Sequence, residues 1–417
     1  MSIGTDTRRQ SLAPTAASKR ILFVSLTPPV PPTNGHRMRN LVLLRALAAE
    51  GHRVSLVSFA DPDGAEYVTR RLGELCHDVT LVAPEPAGHG RGGQYWPRLC
   101  ALSSPFPYGV WRFASRALAG VVSARLARGG VDVVICDGIY LVRNLPRPAR
   151  VPIILSEQAI SHEALARYLR YESNPLKLAY GWIEYRKTRR WELRACAGVS
   201  GVIACSSRER HLLGEMCPDA RVAVVPNCVD TESYLPVEDD DGATVLFVGA
   251  MDWLPNRDAI DFLCARILPP LRAFAPGATL IVAGRNPSSR LGRRLAAIPG
   301  LRFVGAVEDT RPLLARAAAF VAPLRIGSGT RIKILEAAAM AKPIVSTTLG
   351  AEGLELSNGK EILLADEPRR FARAVADLLS DPGRRRAMGR AARRRVTEQY
   401  SLPALRHALC GALVELC

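Results

Sequence analysis

The sequence predicts an α/β protein of two domains, each built around a parallel β-sheet. Its 417 residues are too many for one compact core and fit two domains of about 200 residues each. Short hydrophobic runs alternate along the chain with segments of helical spacing, which is the pattern of repeated β-α-β units. A segment at residues 236–242, with four consecutive acids between a proline and a glycine, separates two such series and is typical of a linker.

The first β-α-β unit runs from a strand at residues 21–26 through a helix to a strand at 54–59. No G-x-G-x-x-G motif follows its first strand, so a dinucleotide-binding dehydrogenase has little support. The turn before the helix contains Gly35 and Arg37, which either form an ordinary turn with a solvated arginine or face a ligand cleft. Further strands are expected at 78–83, 131–137, 151–157, 201–206 and 221–226, and helices near 65–75, 112–128 and 175–197.

The second series has strands expected at 244–249, 278–283, 301–307, 319–324 and 343–348, followed by helices at 367–400 and 402–417. Residues 1–19 are polar and basic without an apolar centre, so they are expected to form a disordered tail rather than a signal peptide. No uninterrupted apolar run of about 18 residues occurs, so no membrane-spanning helix is expected.

Composition narrows the class of protein further. The ten cysteines are scattered singly, which predicts reduced thiols rather than a zinc site or a disulfide scaffold. The formal net charge of +17 is carried almost wholly by arginine. It either records base composition or attracts an anionic surface, of which a membrane is favoured over nucleic acid because no nucleic-acid module is present. The insertion at 94–113 mixes aromatic residues with arginine and suits a membrane interface, an acceptor pocket or a locally packed loop.

The most informative stretch is residues 320–350. A buried strand there leads through Gly327, Ser328, Gly329 and Thr330 into a helix expected to be about a dozen residues long. The free N–H groups at such a helix start attract anions. Three residues separate a lysine and a glutamate on this helix, so both can face one ligand that combines negative charge with hydroxyl groups. A plain strand-loop-helix with a glycine-rich turn is the alternative.

The whole pattern resembles the donor-site signature of the retaining nucleotide-sugar glycosyltransferases of family four, which have the GT-B fold. The resemblance rests on Arg325, Gly327, Gly329, Lys333 and Glu336, in the form P-L-R-x-G-x-G-x-R-x-K-x-L-E. It implies that the loop holds the donor diphosphate and that the glutamate binds the ribose. The usual family pattern has a second glutamate eight residues earlier, where this chain has Ser328, so only the backbone there is assigned to the donor.

The resemblance implies two facing Rossmann-like domains with a ligand cleft between them. Residues 20–236 would form the acceptor-side domain and residues 237–400 the donor-binding domain, and the helix at 401–417 would return to the first domain. The resemblance also assigns Gly249, at the end of the first strand of the second domain, to the donor, and places Gly35 and Arg37 on the acceptor side. Arg257 either takes the place of the phosphate-binding lysine of the family or is a surface arginine at a helix start.

Charge stabilisation is the chemistry that this assignment requires. Departure of a nucleoside diphosphate develops negative charge, which Lys333 and Arg285 would meet as catalytic groups, together with Arg325 and the helix start. Glu157 ends a strand of the first sheet and is the third catalytic candidate, for contact with a sugar hydroxyl. The family implies retention without a covalent nucleophile, so none is nominated.

The predicted protein is therefore a cytoplasmic transferase that moves a sugar from a nucleotide diphosphate sugar to a glycan or lipid-linked acceptor, in envelope or exopolysaccharide synthesis. It is expected to need no cofactor or divalent metal, since the D-x-D sequences at 61–63 and 239–241 lie in polar turns. An anionic membrane surface is an expected partner, and nucleic acid is not. A nucleotide-sugar epimerase of similar fold and a non-catalytic two-domain binding protein are the alternatives.

Overall fold

The fold consists of two parallel β-sheets, each covered by helices, in a computed structural model that describes residues 18–85, 96–237 and 240–417. Nearly all of the predicted tail, the first part of the insertion at 94–113 and part of the acidic linker lie outside these residues. None of the helices in the described ranges is both long enough and apolar enough to cross a bilayer.

The first sheet has seven strands in the order β3-β2-β1-β4-β5-β6-β7, all parallel. The three strands β4, β5 and β6 are buried along their whole length, as expected for the middle of a parallel sheet covered on both faces. The strands are Arg20–Ser25 (β1), Arg53–Phe59 (β2), Asp78–Val82 (β3), Val133–Asp137 (β4), Ile153–Ser156 (β5), Gly201–Ala204 (β6) and Val222–Val224 (β7). The helices are Gly35–Ala49 (α1), Ala65–Leu72 (α2), Trp96–Leu102 (α3), Tyr108–Arg112 (α4), Arg116–Ala127 (α5), Ser161–Leu169 (α6), Pro175–Ala197 (α7) and Ser207–Met216 (α8).

The second sheet has six strands in the order β10-β9-β8-β11-β12-β13, again all parallel. The strands are Thr244–Val248 (β8), Thr279–Ala283 (β9), Leu301–Gly305 (β10), Ala319–Ala322 (β11), Ile344–Ser346 (β12) and Leu363–Leu364 (β13). The helices are Leu254–Phe262 (α9), Leu268–Phe274 (α10), Ser289–Ala296 (α11), Arg311–Arg316 (α12), Ile332–Ala339 (α13), Pro368–Ser380 (α14), Pro382–Gln399 (α15) and Leu402–Leu416 (α16). A π-helical turn at Leu263–Ile267 joins α9 to α10.

The predicted fold class, two Rossmann-like domains with parallel sheets, is confirmed, and three elements differ in detail. The helix predicted at 367–400 is two helices, because Asp381 ends α14 and caps α15 by accepting from the Arg384 amide at 2.9 Å. The helix predicted near 112–128 is preceded by the short α4 and begins only at Arg116. The helix α13 has eight residues instead of about twelve.

The last helix, α16, packs against the first sheet although it follows the second one in the chain. Its Leu405, Leu409 and Leu413 are buried in one hydrophobic cluster with α1 and strands of the first sheet. Leu416 lies against the start of β6, where a Cβ on Gly201 would be 2.6 Å from its Cδ2. The two sheets are thus joined by the linker at its entry and by α16 at its return.

The packing of α15 on the end of α13 is predicted to depend on Gly389. A Cβ at this position would lie 1.8 Å from the backbone oxygen of Ala341, so Gly389→Ala must displace the main chain. We expect a loss of about 1–3 kcal/mol in the free energy of unfolding of the second domain, measured by chemical denaturation. Gly411→Ala on α16 is the matched control, because a Cβ there meets no atom within 4 Å and should not destabilise the helix.

Candidate functional site

The glycine-rich loop of the second domain lies directly against the strand ends of the first. Ser328 Oγ donates to the backbone oxygen of Ile160 at 3.0 Å, just beyond β5. A Cβ on Gly35, after β1, would lie 3.5 Å from the Ile332 side chain at the start of α13. The carboxyl ends of parallel strands therefore face the donor-motif loop across a cleft, which is where open α/β sheets bind ligands.

Both glycines of this loop have backbone conformations that favour glycine. Gly327 has φ 108° and Gly329 has φ 79°, both in the left-handed region. A side chain at 329 would also collide with the first domain, since its Cβ would lie 2.6 Å from the backbone oxygen of Gln158. The loop thus presents its backbone and leaves no space for a larger residue.

Arg331 stabilises the glycine-rich loop through hydrogen bonds to its backbone. Its guanidinium is buried and donates through Nη1 to the backbone oxygens of Ser328, at 2.6 Å, and Gly329. Burial lowers its pKa to about 10. Ser328 is only 8% exposed, and Thr330 accepts a hydrogen bond from Asn227 through its hydroxyl. These two predicted donor residues therefore use their side chains to join the domains and can offer a ligand only their backbones.

Lys333 lies on the cleft side of α13 without a carboxylate partner. Its Nζ donates to Asn256 Oδ1 at 2.8 Å and sits 4.7 Å from the ring centroid of Phe247. Burial, with a smaller contribution from Arg331, lowers the pKa of Lys333 to about 7. A lysine in this state gains charge when an anion binds beside it.

Glu336 lies one helical turn further along α13. Its Oε1 accepts a hydrogen bond from the Tyr234 hydroxyl at 3.2 Å, and burial raises the pKa of its carboxyl. The same burial raises the pKa of Tyr234. A carboxylate with only a phenol as partner retains acceptor capacity for ligand hydroxyl groups.

Two arginines from opposite domains are close enough for the charge of one to act on the other. Burial and the charge of Arg285 together lower the pKa of Arg37. The described residues supply no carboxylate hydrogen-bonded to either guanidinium. Arg285 follows β9 and Arg37 is in the first turn of α1, so closure of the cleft brings two like charges together. An anion between them would remove this repulsion.

Two other predicted donor arginines have different surroundings. The guanidinium of Arg325 forms two hydrogen bonds to Asp258, at 2.7 and 3.1 Å, and stacks on the rings of Phe262 and Tyr171. A bidentate pair of this kind leaves little capacity for a phosphate. Arg257 is exposed on α9, and the residue of that helix that reaches Lys333 is its neighbour Asn256.

Gly249 has a packing role at the edge of the site. A Cβ there would lie 2.6 Å from the Asn256 side chain, so the glycine allows Asn256 to reach Lys333. This position supports the donor side through Asn256 rather than by a contact of its own.

Glu157 does not open to the cleft as predicted. It is 5% exposed, and its Oε2 has no hydrogen-bond partner among the described residues. Burial and the nearby carboxylates of Glu192 and Asp137 raise its pKa well above the ordinary value. This position argues against the predicted contact with a sugar hydroxyl.

A partly exposed imidazole on this side belongs to His36, in the first turn of α1. Its Nε2 lies 2.8 Å from Asp137 Oδ2, and Asp137 also accepts from Asn40 and Gln158 at 2.6 and 3.0 Å. Burial lowers the pKa of His36, but the Asp137 carboxylate outweighs it and the pKa is raised overall. An imidazole held at one nitrogen by a carboxylate can take a proton from a hydroxyl through the other.

Sequence reasoning missed Asn256, Arg331 and His36. Arg331 is part of the motif, but only the residues around it were assigned to the site. His36 could have been found, because Asp137 ends a buried strand and the turn of His36 follows another, and such ends meet at one edge. Asn256 carried no signal of its own. In the described parts of the chain, no group of three or more metal-ligating side chains occurs.

A charged network joins the two domains beside the cleft. Arg167 of α6 donates to both carboxylate oxygens of Glu352, at 2.6 and 2.8 Å, and to the backbone oxygen of Gly327 at 2.7 Å. Arg208 of α8 approaches the same Glu352 at 2.9 Å, and Glu163 accepts from both arginines. The network ties the donor-motif loop to the closed arrangement of the domains.

We predict that Glu352→Gln opens the cleft. Loss of the carboxylate leaves two partly buried arginines with weaker partners, which favours separation of the domains. The variant should show a larger radius of gyration in small-angle X-ray scattering without ligand. Glu398→Gln, an exposed position on α15, is the control, and equal radii for all three proteins would contradict the assignment.

Comparison with known proteins supports the same interpretation. A model described as Glycosyltransferase Family 4 matches residues 64–233, and one described as Glycosyl transferases group 1 matches residues 242–381. Glycogen synthase of Mycobacterium tuberculosis is 32% identical over 167 residues, covering 38% of this chain and 39% of that protein. The match thus spans about two fifths of that relative's length.

Two crystal structures share the fold over most of the chain. Sucrose-phosphate synthase from Thermosynechococcus elongatus has a TM-score of 0.71 and 18% identity, covering 95% of this chain and 99% of that one. HepE of Anabaena, in complex with UDP and glucose, has a TM-score of 0.65 and 15% identity with the same coverage. With both halves matched by glycosyltransferase models and two facing parallel sheets, the chain belongs to the family-four type of glycosyltransferases with the GT-B fold.

Proposed function

We propose that this protein transfers a sugar from a nucleotide diphosphate sugar to a hydroxyl acceptor, with retention of the anomeric configuration. The observation that carries the proposal is a set of cationic groups for which the described residues supply no carboxylate partner: Lys333 on α13, and Arg37 with the nearby Arg285. A diphosphate supplies the missing negative charge. Glu336, one turn from Lys333, is placed to accept hydrogen bonds from the ribose.

The chemistry follows from where charge develops. As the bond from the anomeric carbon to the phosphate oxygen breaks, negative charge grows on the diphosphate, and positioned cations stabilise it without reorganising. The acceptor hydroxyl attacks the same face, and its proton passes to the leaving group or to His36. We propose that basic side chains meet this charge without a divalent cation, so activity persists in a chelator.

The comparisons support a nucleotide donor. HepE, whose structure holds UDP and glucose, shares the fold over nearly the whole chain. For this chain the nucleobase and the sugar are part of the proposal, and a panel of nucleotide diphosphate sugars tests them. Release of nucleoside diphosphate with formation of a glycosidic bond identifies a transferase, whereas conversion of the donor without an acceptor identifies an epimerase.

We propose further that the acceptor is a glycan or a lipid-linked sugar of the cell envelope or an exopolysaccharide, and that the enzyme works in the cytoplasm on the inner membrane face. The excess of 56 basic over 39 acidic residues supports attraction to an anionic surface. Separating the products made with water-soluble and lipid-linked acceptors tests this choice, and NMR of the new linkage tests retention.

Glu336→Ala is predicted to weaken donor binding roughly a hundredfold or more. Each hydrogen bond from a ribose hydroxyl to a carboxylate contributes about 1.5–3 kcal/mol, and two such bonds would be lost. Binding of the preferred donor by calorimetry measures the effect. Glu398→Ala controls for removal of an exposed acid, and normal affinity in a folded Glu336→Ala variant would rule out this ribose contact.

Donor binding is predicted to take up a proton at Lys333. The pKa of Lys333 is about 7 in the free protein, so at pH 8 most molecules hold it neutral, and a bound diphosphate raises that pKa. Affinity should therefore fall as pH rises above about 7. Calorimetry in buffers of different ionisation enthalpy should give an uptake approaching one proton at pH 8 and less at pH 6.

Lys333→Arg should abolish this uptake, because a guanidinium stays charged over the whole range. Lys360→Arg, an exposed lysine of the same domain, should behave as the unmodified protein. Equal proton uptake in all three would assign the linkage to another group.

A further inference from the structure

We propose that helices α3 and α7 form a docking surface for an anionic lipid bilayer, placed beside the mouth of the cleft. The surface consists of Trp96, Arg98 and Leu99 on α3 and of the exposed side of α7 from Leu176 to Arg194. It rests on the proposed function only for the identity of the acceptor. Binding to lipid is a property of the surface alone.

The end of α3 is attached to α7 by hydrogen bonds. Lys187 of α7 donates through Nζ to the backbone oxygens of Ala101 and Leu102, at 2.9 and 3.0 Å, which caps the end of α3. One turn earlier on α7, Glu184 accepts from the amide of Tyr108, the first residue of α4, at 2.8 Å. These bonds hold the end of α3 and the start of α4 against the middle of α7, so the exposed residues of α3 and α7 are neighbours.

Large apolar side chains are concentrated on this face. Half of the twelve large hydrophobic residues exposed in the described parts of the chain lie on α3, on α7 or in the turn before α7. Leu176 is 81% exposed and Trp182 52% exposed. A cluster of exposed leucine, isoleucine and tryptophan on a soluble domain marks an interaction site, and tryptophan is favoured at a bilayer interface.

The same face is positively charged, which favours an anionic partner. Lys177, Arg186, Arg189, Arg190 and Arg194 are exposed on α7, whereas both acids of that helix, Glu184 and Glu192, are buried. The nearby Glu172 is largely engaged by backbone amides of the turn before α7. Binding to an anionic bilayer requires two kinds of side chain. Apolar residues enter the headgroup region, and arginines beside them contact the lipid phosphates.

This arrangement disfavours a second copy of the chain as the occupant. A two-fold contact would place the arginines of one copy against those of the other, and no exposed acid on α7 could neutralise them. A bilayer supplies negative charge over the whole face and accepts scattered apolar side chains without shape complementarity.

The docking surface lies close to the cleft, where it can bring a membrane-bound acceptor to the site. Tyr171, in the turn before α7, lies under the guanidinium of Arg325 from the second domain, with 5.0 Å between Cζ and the ring centroid. The docking surface therefore begins at the domain boundary. A lipid-linked acceptor whose tail stays in the bilayer could present its sugar to the cleft without leaving the membrane.

The test uses the full-length protein and two kinds of vesicle, one of phosphatidylcholine alone and one with added phosphatidylglycerol, in a flotation assay at low and high salt. The protein should float with the anionic vesicles at low salt and be released by salt. Arg186→Glu/Arg189→Glu/Arg190→Glu should lower the bound fraction about tenfold or more. Leu176→Ser/Trp182→Ser should also lower it, and should leave more of the residual binding sensitive to salt.

Matched controls come from the second domain and from α16. Arg386→Glu/Arg390→Glu/Arg394→Glu reverses three exposed arginines on α15, and Val414→Ser removes an exposed apolar residue, and both should bind as the unmodified protein does. Circular dichroism confirms that each variant is folded. Equal losses in the control triple variant would show that net charge alone drives binding and would overturn the proposal.

Two other results would also overturn it. One is recovery of the protein in the unbound fraction with both vesicle types at low salt. The other is self-association, measured by light scattering, that the α7 variants abolish in the absence of lipid binding, which would assign the face to a second copy. None of these outcomes depends on donor turnover, so failure of the docking surface and failure of the proposed transferase activity are distinguishable.

Discussion

The structure depends on the ion-pair network that holds the two sheets face to face. Glu352 of the second domain receives two arginines of the first, and one of them, Arg167, also binds the backbone oxygen of Gly327. All of these groups are partly shielded from water, so the attraction is stronger than that of an exposed pair. Domain closure and the positioning of the glycine-rich loop are consequently coupled.

Closure of the two domains leaves an excess of positive charge in the cleft, and this excess favours an anionic ligand. Closure places Arg37 near Arg285, and desolvation lowers the pKa of Lys333 to about 7. Arg325, by contrast, is paired with Asp258. Unpaired cations in a cleft lower the stability of the empty protein. This loss is offset when an anion binds between them.

By our proposals, the first domain contributes both the acceptor side and the surface that brings the enzyme to its acceptor. His36 is held by Asp137 at the end of β4, and α7 carries exposed tryptophan, leucine and arginine toward the same boundary. A single domain can in this way hold the chemistry of the hydroxyl group and the contact with the membrane. The second domain is then free to move against it with the donor.

The sequence by itself determined the order and type of most elements, because hydrophobic periodicity reports burial and parallel sheets bury nearly continuous runs. It also determined the glycine-rich loop with Lys333 and Glu336, since these lie within ten residues of one another on one strand-loop-helix unit. Their actual partners, Asn256 and Tyr234, are distant in the chain, and no local pattern indicates them.

Only the tertiary structure decided which charged side chains are available to a ligand. Arg325 and Arg285 both follow strands of the same sheet and are equivalent by sequence, yet one is paired to Asp258 and the other faces Arg37. Packing around β4 and β5 buries Glu157, which was expected to contact a sugar hydroxyl, and places His36, for which no role was expected from the sequence, beside Asp137. Pairing and burial are set by contacts between residues far apart in the chain, and these set the pKa and the reach of each group.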